Sequence, residues 1–412
     1  MSRSAVPRIL LATLVLASSG AAQDDPVARA LVAARTTIRV GPQGPTGDGL
    51  DFLRRETAAA QHFLIGEAHG TAEIPELVGW ILEAARSAGY STLFLETGPI
   101  SQEMADEILA QPDGLDAFAS FMDAHFMGIA FLGWEGEAAL VADALANGWT
   151  VAGLDQEFLA SGRHLLQRLQ TLAPMDAAGD AARALVQAPI DAEREAVERV
   201  RRTGDRAAMG AAFLASATEA TFDALDAAYA PAGLEAQRLL AEMRQSAAIY
   251  RLWTSGSNYD SNRLRVEMIK RHLREHVAAR HGGDWRRLRS VAKLGGGHCA
   301  RGLNSNDQYD IGMHLSELAE ACGSRSFHLL VVAKERGTTA ALGEPAPEMR
   351  ELRPLFALTA DADWTIFDLR PLRALAHDSG VPSDHELLHV IFAFDAVAVA
   401  TRFSAAAALE PR

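Results

Sequence analysis

The segment His62-Phe-Leu-Ile-Gly-Glu-Ala-His69-Gly-Thr-Ala-Glu-Ile-Pro75 sets the reading of the whole chain. Phe63-Leu-Ile65 is a short apolar run with the length of a buried strand. Gly66 permits a tight turn, and Glu67 and His69 then stand where a strand meets the rim of a sheet. From Ile74 to Ala88 apolar residues recur with helical spacing, and Pro75 suits a first helical turn. Strand, polar turn and helix in this order form the opening unit of a parallel α/β sheet. A second copy of the turn lies far downstream in Val291-Ala-Lys-Leu-Gly-Gly-Gly-His298, so two Gly-x-x-His turns (Gly66/His69 and Gly295/His298) are expected at strand ends.

Outward from this unit the alternation continues. Ser91–Glu96 and Thr150–Asp155 read as strands ending in an acid, with a helical stretch from Glu135 to Asn147 between them. Residues 24–60 read as a helical lead-in that ends in the Gly/Pro loop Gly41–Gly47. From Phe158 to about Ala279 alanine, arginine, glutamate and leucine dominate and no strand pattern appears, which predicts a large helical insertion. Strands resume at Arg289–Leu294, Phe327–Val332, Trp364–Phe367 and His389–Phe394, with a helix at Ile311–Ala321 closed by Gly323. The expected fold is α/β: a mainly parallel central sheet flanked by helices. Its first part spans residues 23–157, the insertion residues 158–280, and its second part residues 281–412.

Residues 1–22 are expected to be a signal peptide. Arg3 and Arg8 precede an apolar run, Ile9–Ala17, and a small-residue zone, Ser18–Gln23, follows it. The apolar run is too short to span a bilayer, and no later stretch reaches the ~18 apolar residues a span requires. An exported protein, periplasmic or secreted and without a membrane span, is therefore expected. The 412 residues carry 39 basic and 53 acidic side chains, a net charge of −14, which argues against nucleic acid as a partner. Cys299 and Cys322 are the two cysteines; in an oxidising compartment they are free either to pair or to remain structural thiols.

Polar residues at the carboxyl ends of parallel strands mark the usual ligand crevice of such a sheet. Here they are Glu67 and His69, then Glu96, then Asp155 and Glu157, then His298, with Glu73 just past the first turn. No Gly-x-Ser-x-Gly, Gly-x-Gly-x-x-Gly or Walker pattern is present, so activated water is the expected nucleophile of any hydrolysis. Two readings of the set remain open. In one, His69 is a general base oriented by Glu67 and Glu96, while His298 and Arg301 stabilise developing charge. In the other, His69, His298 and Glu96 hold a divalent metal that activates the water. Asp155, Glu157 and Glu73 are candidates for binding a small-molecule substrate.

At these residues the sequence resembles the erythromycin esterase/ChaN-like superfamily, which also takes in TraB- and Tiki-type proteins. The resemblance lies in Gly66-Glu67-Ala68-His69-Gly70, in Glu96 within Phe94-Leu-Glu-Thr-Gly-Pro99 numbering outward from Phe94 through Pro99, and in Gly295-Gly-Gly-His298. It extends to Asn262-Arg-Leu-Arg-Val-Glu-Met268 and Phe394-Asp-Ala-Val-Ala-Val399. The single residue between Glu67 and His69 is the spacing of the ChaN-like and Tiki-like branches, whereas Gly70-Thr71 follows the esterase branch. The resemblance implies a hydrolase of an ester-type bond needing no cofactor. It also implies two alternatives, a haem- or small-ligand-binding protein and a metal-dependent hydrolase or peptidase.

Overall fold

The computed structural model describes residues 26–334, 350–378, 387–402 and 404–411, so the expected signal peptide lies outside the described residues. Nine strands form one sheet: β1 Arg35–Gly41, β2 Gly44–Thr46, β3 His62–Glu67, β4 Thr92–Leu95, β5 Thr150–Gly153, β6 Ser290–Gly295, β7 Ser326–Ala333, β8 Trp364–Asp368 and β9 Ala396–Ala400. Their order across the sheet is β2-β1-β8-β9-β7-β3-β6-β4-β5. From β9 to β5 every neighbouring pair is parallel, and the β2-β1-β8 side is joined antiparallel. The fold is thus mixed α/β with a mostly parallel sheet flanked by helices.

Strand β3 lies inside the sheet and is buried along its whole length. Side chains alternate between the two faces of a strand, and the core divides accordingly. Phe63, Ile65, Leu93, Leu95, Val291, Leu329 and Val331 pack on one face, together with the helices Glu73–Ser87 and Glu135–Ala146. Leu64, Phe94, Ala292, Leu294, Leu330 and Val332 pack on the other, against the helices Asn258–His281 and Ile311–Ala321. Covering both faces explains why these strands read as continuous apolar runs. The elements from Gly162 to His281 are all helical, and Leu166, Val186, Phe222, Tyr229 and Met243 form an apolar cluster there together with Ile100.

Two expectations for the sheet are corrected. The lead-in is not wholly helical: between the helices Pro26–Ala33 and Asp48–Ala59 the chain forms the β1–β2 hairpin, and β1 pairs with β8. The predicted Gly/Pro loop is the turn and second arm of that hairpin. The last strand is not His389–Phe394, which lies mostly in the helix Leu388–Ala393. The strand is β9, one segment later. The aromatic and β-branched run has the stronger strand composition. Yet Ala396–Ala400 fits between β7 and β8, with every residue buried.

Candidate active site

The polar residues at the carboxyl ends of β3, β4, β5 and β6 converge. Glu67 ends β3, and the turn after it returns His69 so that its Nδ1 lies 2.9 Å from Glu67 Oε1. Nε2 of the same imidazole is 3.4 Å from Glu96 Oε2, just past β4. His298, in the glycine turn after β6, repeats the arrangement. Its Nδ1 is 2.8 Å from Asp310 Oδ2 and its Nε2 is 3.4 Å from Glu96 Oε1. Glu96 therefore sits between two imidazoles, each held from behind by a carboxylate. Gly295 makes this approach feasible: a Cβ there would lie 3.1 Å from both Glu96 Oε2 and His69 Nε2. Its backbone N–H also donates to Glu96.

Further charges complete the cluster. Arg265, from the helix Asn258–His281, donates through Nη2 to Glu96 Oε1 at 2.8 Å and through Nε to Asp155 Oδ1 at 2.7 Å. Lys293 extends from β6 to Glu67 Oε1 at 2.6 Å and to Glu137 Oε1 at 2.8 Å. The result is an unbroken row of alternating charge: Glu137, Lys293, Glu67, His69, Glu96, His298, Asp310. Most of it is buried, and His69, with its side chain 28% exposed, is the member most open to solvent.

These contacts set the protonation states. Burial works against charge on His69, but Glu96 and Glu67 outweigh it and raise its pKa to about 9. Burial likewise opposes charge on His298, and Glu96 and Asp310 overcome it to about 10. Burial pushes Glu96 up, and the two imidazoles reverse this, holding it well below the usual carboxylate range. Glu67 is also lowered, its burial offset by Lys293 and His69. Glu137 is raised, since burial there exceeds the help from Lys293.

Phe131 covers His69, its ring stacked at 3.9 Å and 17°. Its backbone holds φ of 63°, a left-handed conformation unfavourable for a bulky side chain that persists where the surroundings enforce it. The C-terminal segment bonds to the backbone on either side of the site. Ala406 N–H donates to Gly70 C=O and Leu409 N–H to Gly133 C=O, while Ala407 C=O accepts from Glu135 N–H, all at 2.9 Å. One short segment thus ties the turn carrying His69 to the loop carrying Phe131.

Glu67, His69, Glu96, Asp155 and His298 are brought together, as their strand-end positions predict. Three candidates are not. Arg301 turns away to Asp395 Oδ2 at 2.6 Å, with Ser316 and Ser326 beside it, and Arg265 supplies the guanidinium at the cluster instead. Glu157 turns inward, accepting from the backbone N–H groups of Ile100 and Ser101 at the start of the helix Pro99–Leu109; burial raises its pKa to about 7. Glu73 accepts from the backbone N–H of Ser404. Arg265, Lys293, Glu137, Asp310 and Phe131 are the members that sequence reasoning missed. The run Asn262–Met268 carried a signal for Arg265, while Asp310 reads as the N-cap of the helix Ile311–Ala321, which it also is.

Cys299 and Cys322 are free, and burial raises the Cys299 thiol well above its ordinary value. Among the described residues no group of three or more His, Cys, Asp or Glu side chains is placed to hold a metal ion. No described helix is long and apolar enough to cross a membrane.

No protein-family model and no curated protein matches the sequence. Solved structures do. A variant of erythromycin esterase EreC in its open conformation superposes with a TM-score of 0.57 at 14% identity, covering 91% of this chain and 99% of that one. A succinoglycan biosynthesis protein gives 0.57 at 12%, covering 92% and 97%. A Bacillus cereus protein gives 0.54 at 13%, covering 93% and 98%. At such identities the likeness is one of architecture, and over nearly its full length this chain shares the fold of erythromycin esterase.

Proposed function

We propose that the protein is a hydrolase of an ester-type bond that attacks with water activated at Nε2 of His69. The observation that carries this reading is the pair of carboxylate-backed imidazoles whose Nε2 atoms face one another across Glu96. Glu67 orients His69 through Nδ1, leaving Nε2 to take a proton from water. His298, held by Asp310, supplies a proton or stabilises the negative charge of the intermediate, and Arg265 takes the part first considered for Arg301. Water as nucleophile is supported by the surroundings: among the described residues neither imidazole hydrogen-bonds a serine, threonine or cysteine side chain. Both imidazoles are raised well above their ordinary value by the carboxylates around them, which predicts an alkaline optimum. An acid and a base with separated pKa values give a bell-shaped rate profile. The leader-like composition of residues 1–22 supports an activity outside the cytoplasm, and fractionation of cells expressing the full chain, with the mass of the product, tests it. The test of the activity is a screen of purified protein against esters and lactones. A hit should show an alkaline optimum and be abolished in His69→Ala; full activity in that variant would overturn the assignment.

A further inference from the structure

Lys293 is an ammonium group in a strand of the sheet interior, 4% exposed, paired across β6 with Ile65 of β3 and Leu95 of β4. Its strand neighbours Ala292 and Leu294 are apolar, and so is the sheet face it shares with Phe63, Ile65 and Val291. A buried ion pair is a poor way to stabilise a fold, since an apolar pair of similar volume often does as well or better. The contacts of Lys293 point to another role. It donates to the same Glu67 oxygen that faces His69 Nδ1, and it is itself held by Glu137, in the first turn of the helix Glu135–Ala146. Without it, Glu67 would be a buried carboxylate with His69 as its remaining neighbouring cation among the described residues, and burial would push it toward its protonated form.

We propose that Lys293 and Glu137 are positioning residues that keep Glu67 an anion, so that it accepts from Nδ1–H of His69 and makes Nε2, on the side of Glu96, the nitrogen that receives the proton from water. This rests on the hydrolase reading. A protonated Glu67 would present O–H to His69. The imidazole would then accept at Nδ1 and carry its proton on Nε2, the tautomer unable to act as base toward substrate. A wrong tautomer with intact geometry lowers turnover by about 10⁴-fold in the serine protease triad.

The test uses the intact chain with ¹⁵N-labelled histidine. In the unsubstituted protein the Nδ1 of His69 should be protonated at neutral and alkaline pH alike. In Lys293→Met, once the pH is above the His69 value of about 9 and the ring is neutral, it should become a bare, hydrogen-bond-accepting nitrogen with the proton on Nε2. On an ester substrate kcat should fall on the order of 10²–10⁴-fold with little change in KM. Adding Glu137→Leu removes the stranded carboxylate, so the double variant should regain thermal stability while keeping the altered tautomer and low kcat. Glu137→Gln preserves an acceptor for Lys293 and should keep Nδ1–H on His69 and lower kcat far less than Lys293→Met. Retention of Nδ1–H in Lys293→Met, or recovery of kcat together with stability in the double variant, would overturn the proposal. If Lys293→Met does not fold, the double variant carries the same readout. The tautomer is read without substrate: a switch in a protein that hydrolyses no ester removes the hydrolase reading and leaves the positioning role standing.

Discussion

Replacing Glu96 by glutamine tests the electrostatic centre of the site with little change of shape. Glu96 is the leading charge holding both His69 and His298 protonated. Raising His69 from 6.5 to about 9 corresponds to about 3 kcal/mol in favour of the charged form, at 1.36 kcal/mol per pH unit. The His69 side chain is 28% exposed, and solvent screening leaves about 1–2 kcal/mol as the expected net value. The sign follows from linkage. A histidine whose pKa is higher in the folded state contributes stability in full below 6.5 and loses it as pH rises through the folded value. The unsubstituted protein should therefore lose stability between about 6.5 and about 10. Glu96→Gln should be less stable at pH 7 and show a smaller alkaline loss. The two histidines share one carboxylate, so their contributions are coupled and not additive. The assay is an NMR titration of both imidazoles, paired with urea unfolding at pH 7 and pH 10. In Glu96→Gln both midpoints should drop, that of His69 below about 7, because burial then works against its charge with less to oppose it. Should His69 titrate near 6.5 in the unsubstituted protein and stay there in the variant, the row of alternating charge would have no electrostatic meaning.

Two further substitutions separate site from scaffold. In Gly66→Ala the new Cβ would lie 2.9 Å from the Gly296 backbone and 3.2 Å from Cys299. A loss of ~2–3 kcal/mol is expected by thermal or urea unfolding, and unchanged stability would mean that the two glycine turns are not packed against each other. Arg265→Met should reduce ester hydrolysis at least ~10²-fold, while Arg301→Met should cost ~2 kcal/mol of stability through the buried Asp395 and leave kcat nearly unchanged; the reverse pattern would restore Arg301 to the site.

What was legible in the sequence, and what was not, divides along physical lines. Strands covered on both faces are mainly apolar, so β3, β4, β6 and β7 stand out as short apolar runs with polar residues near their ends, Lys293 in β6 and His328 in β7 being the polar residues within them. A parallel sheet places those ends together, and Glu67, His69, Glu96, Asp155 and His298 were found for that reason. The last strand was misplaced because Ala396–Ala400 is a strand by virtue of its neighbours, while the more strand-like His389–Phe394 has no place between β7 and β8. Glu157 shows the same limit at the site: a strand-end acid binds ligand or caps a helix according to what lies opposite, and here that is Ser101.

By itself the sequence determined the fold class, the helical insertion and the strand-end residues, because periodicity and turn chemistry are local and survive in one dimension. Tertiary structure alone decided which charges meet. Arg265 lies 169 positions from Glu96, and Lys293 lies 226 from Glu67 and 156 from Glu137. A long cation finds its carboxylate through the packing of a helix or a neighbouring strand, and nothing in its flanking residues records that partner. The pairings that charge His69 and His298, and with them the chemistry this site supports, exist only once the sheet has assembled.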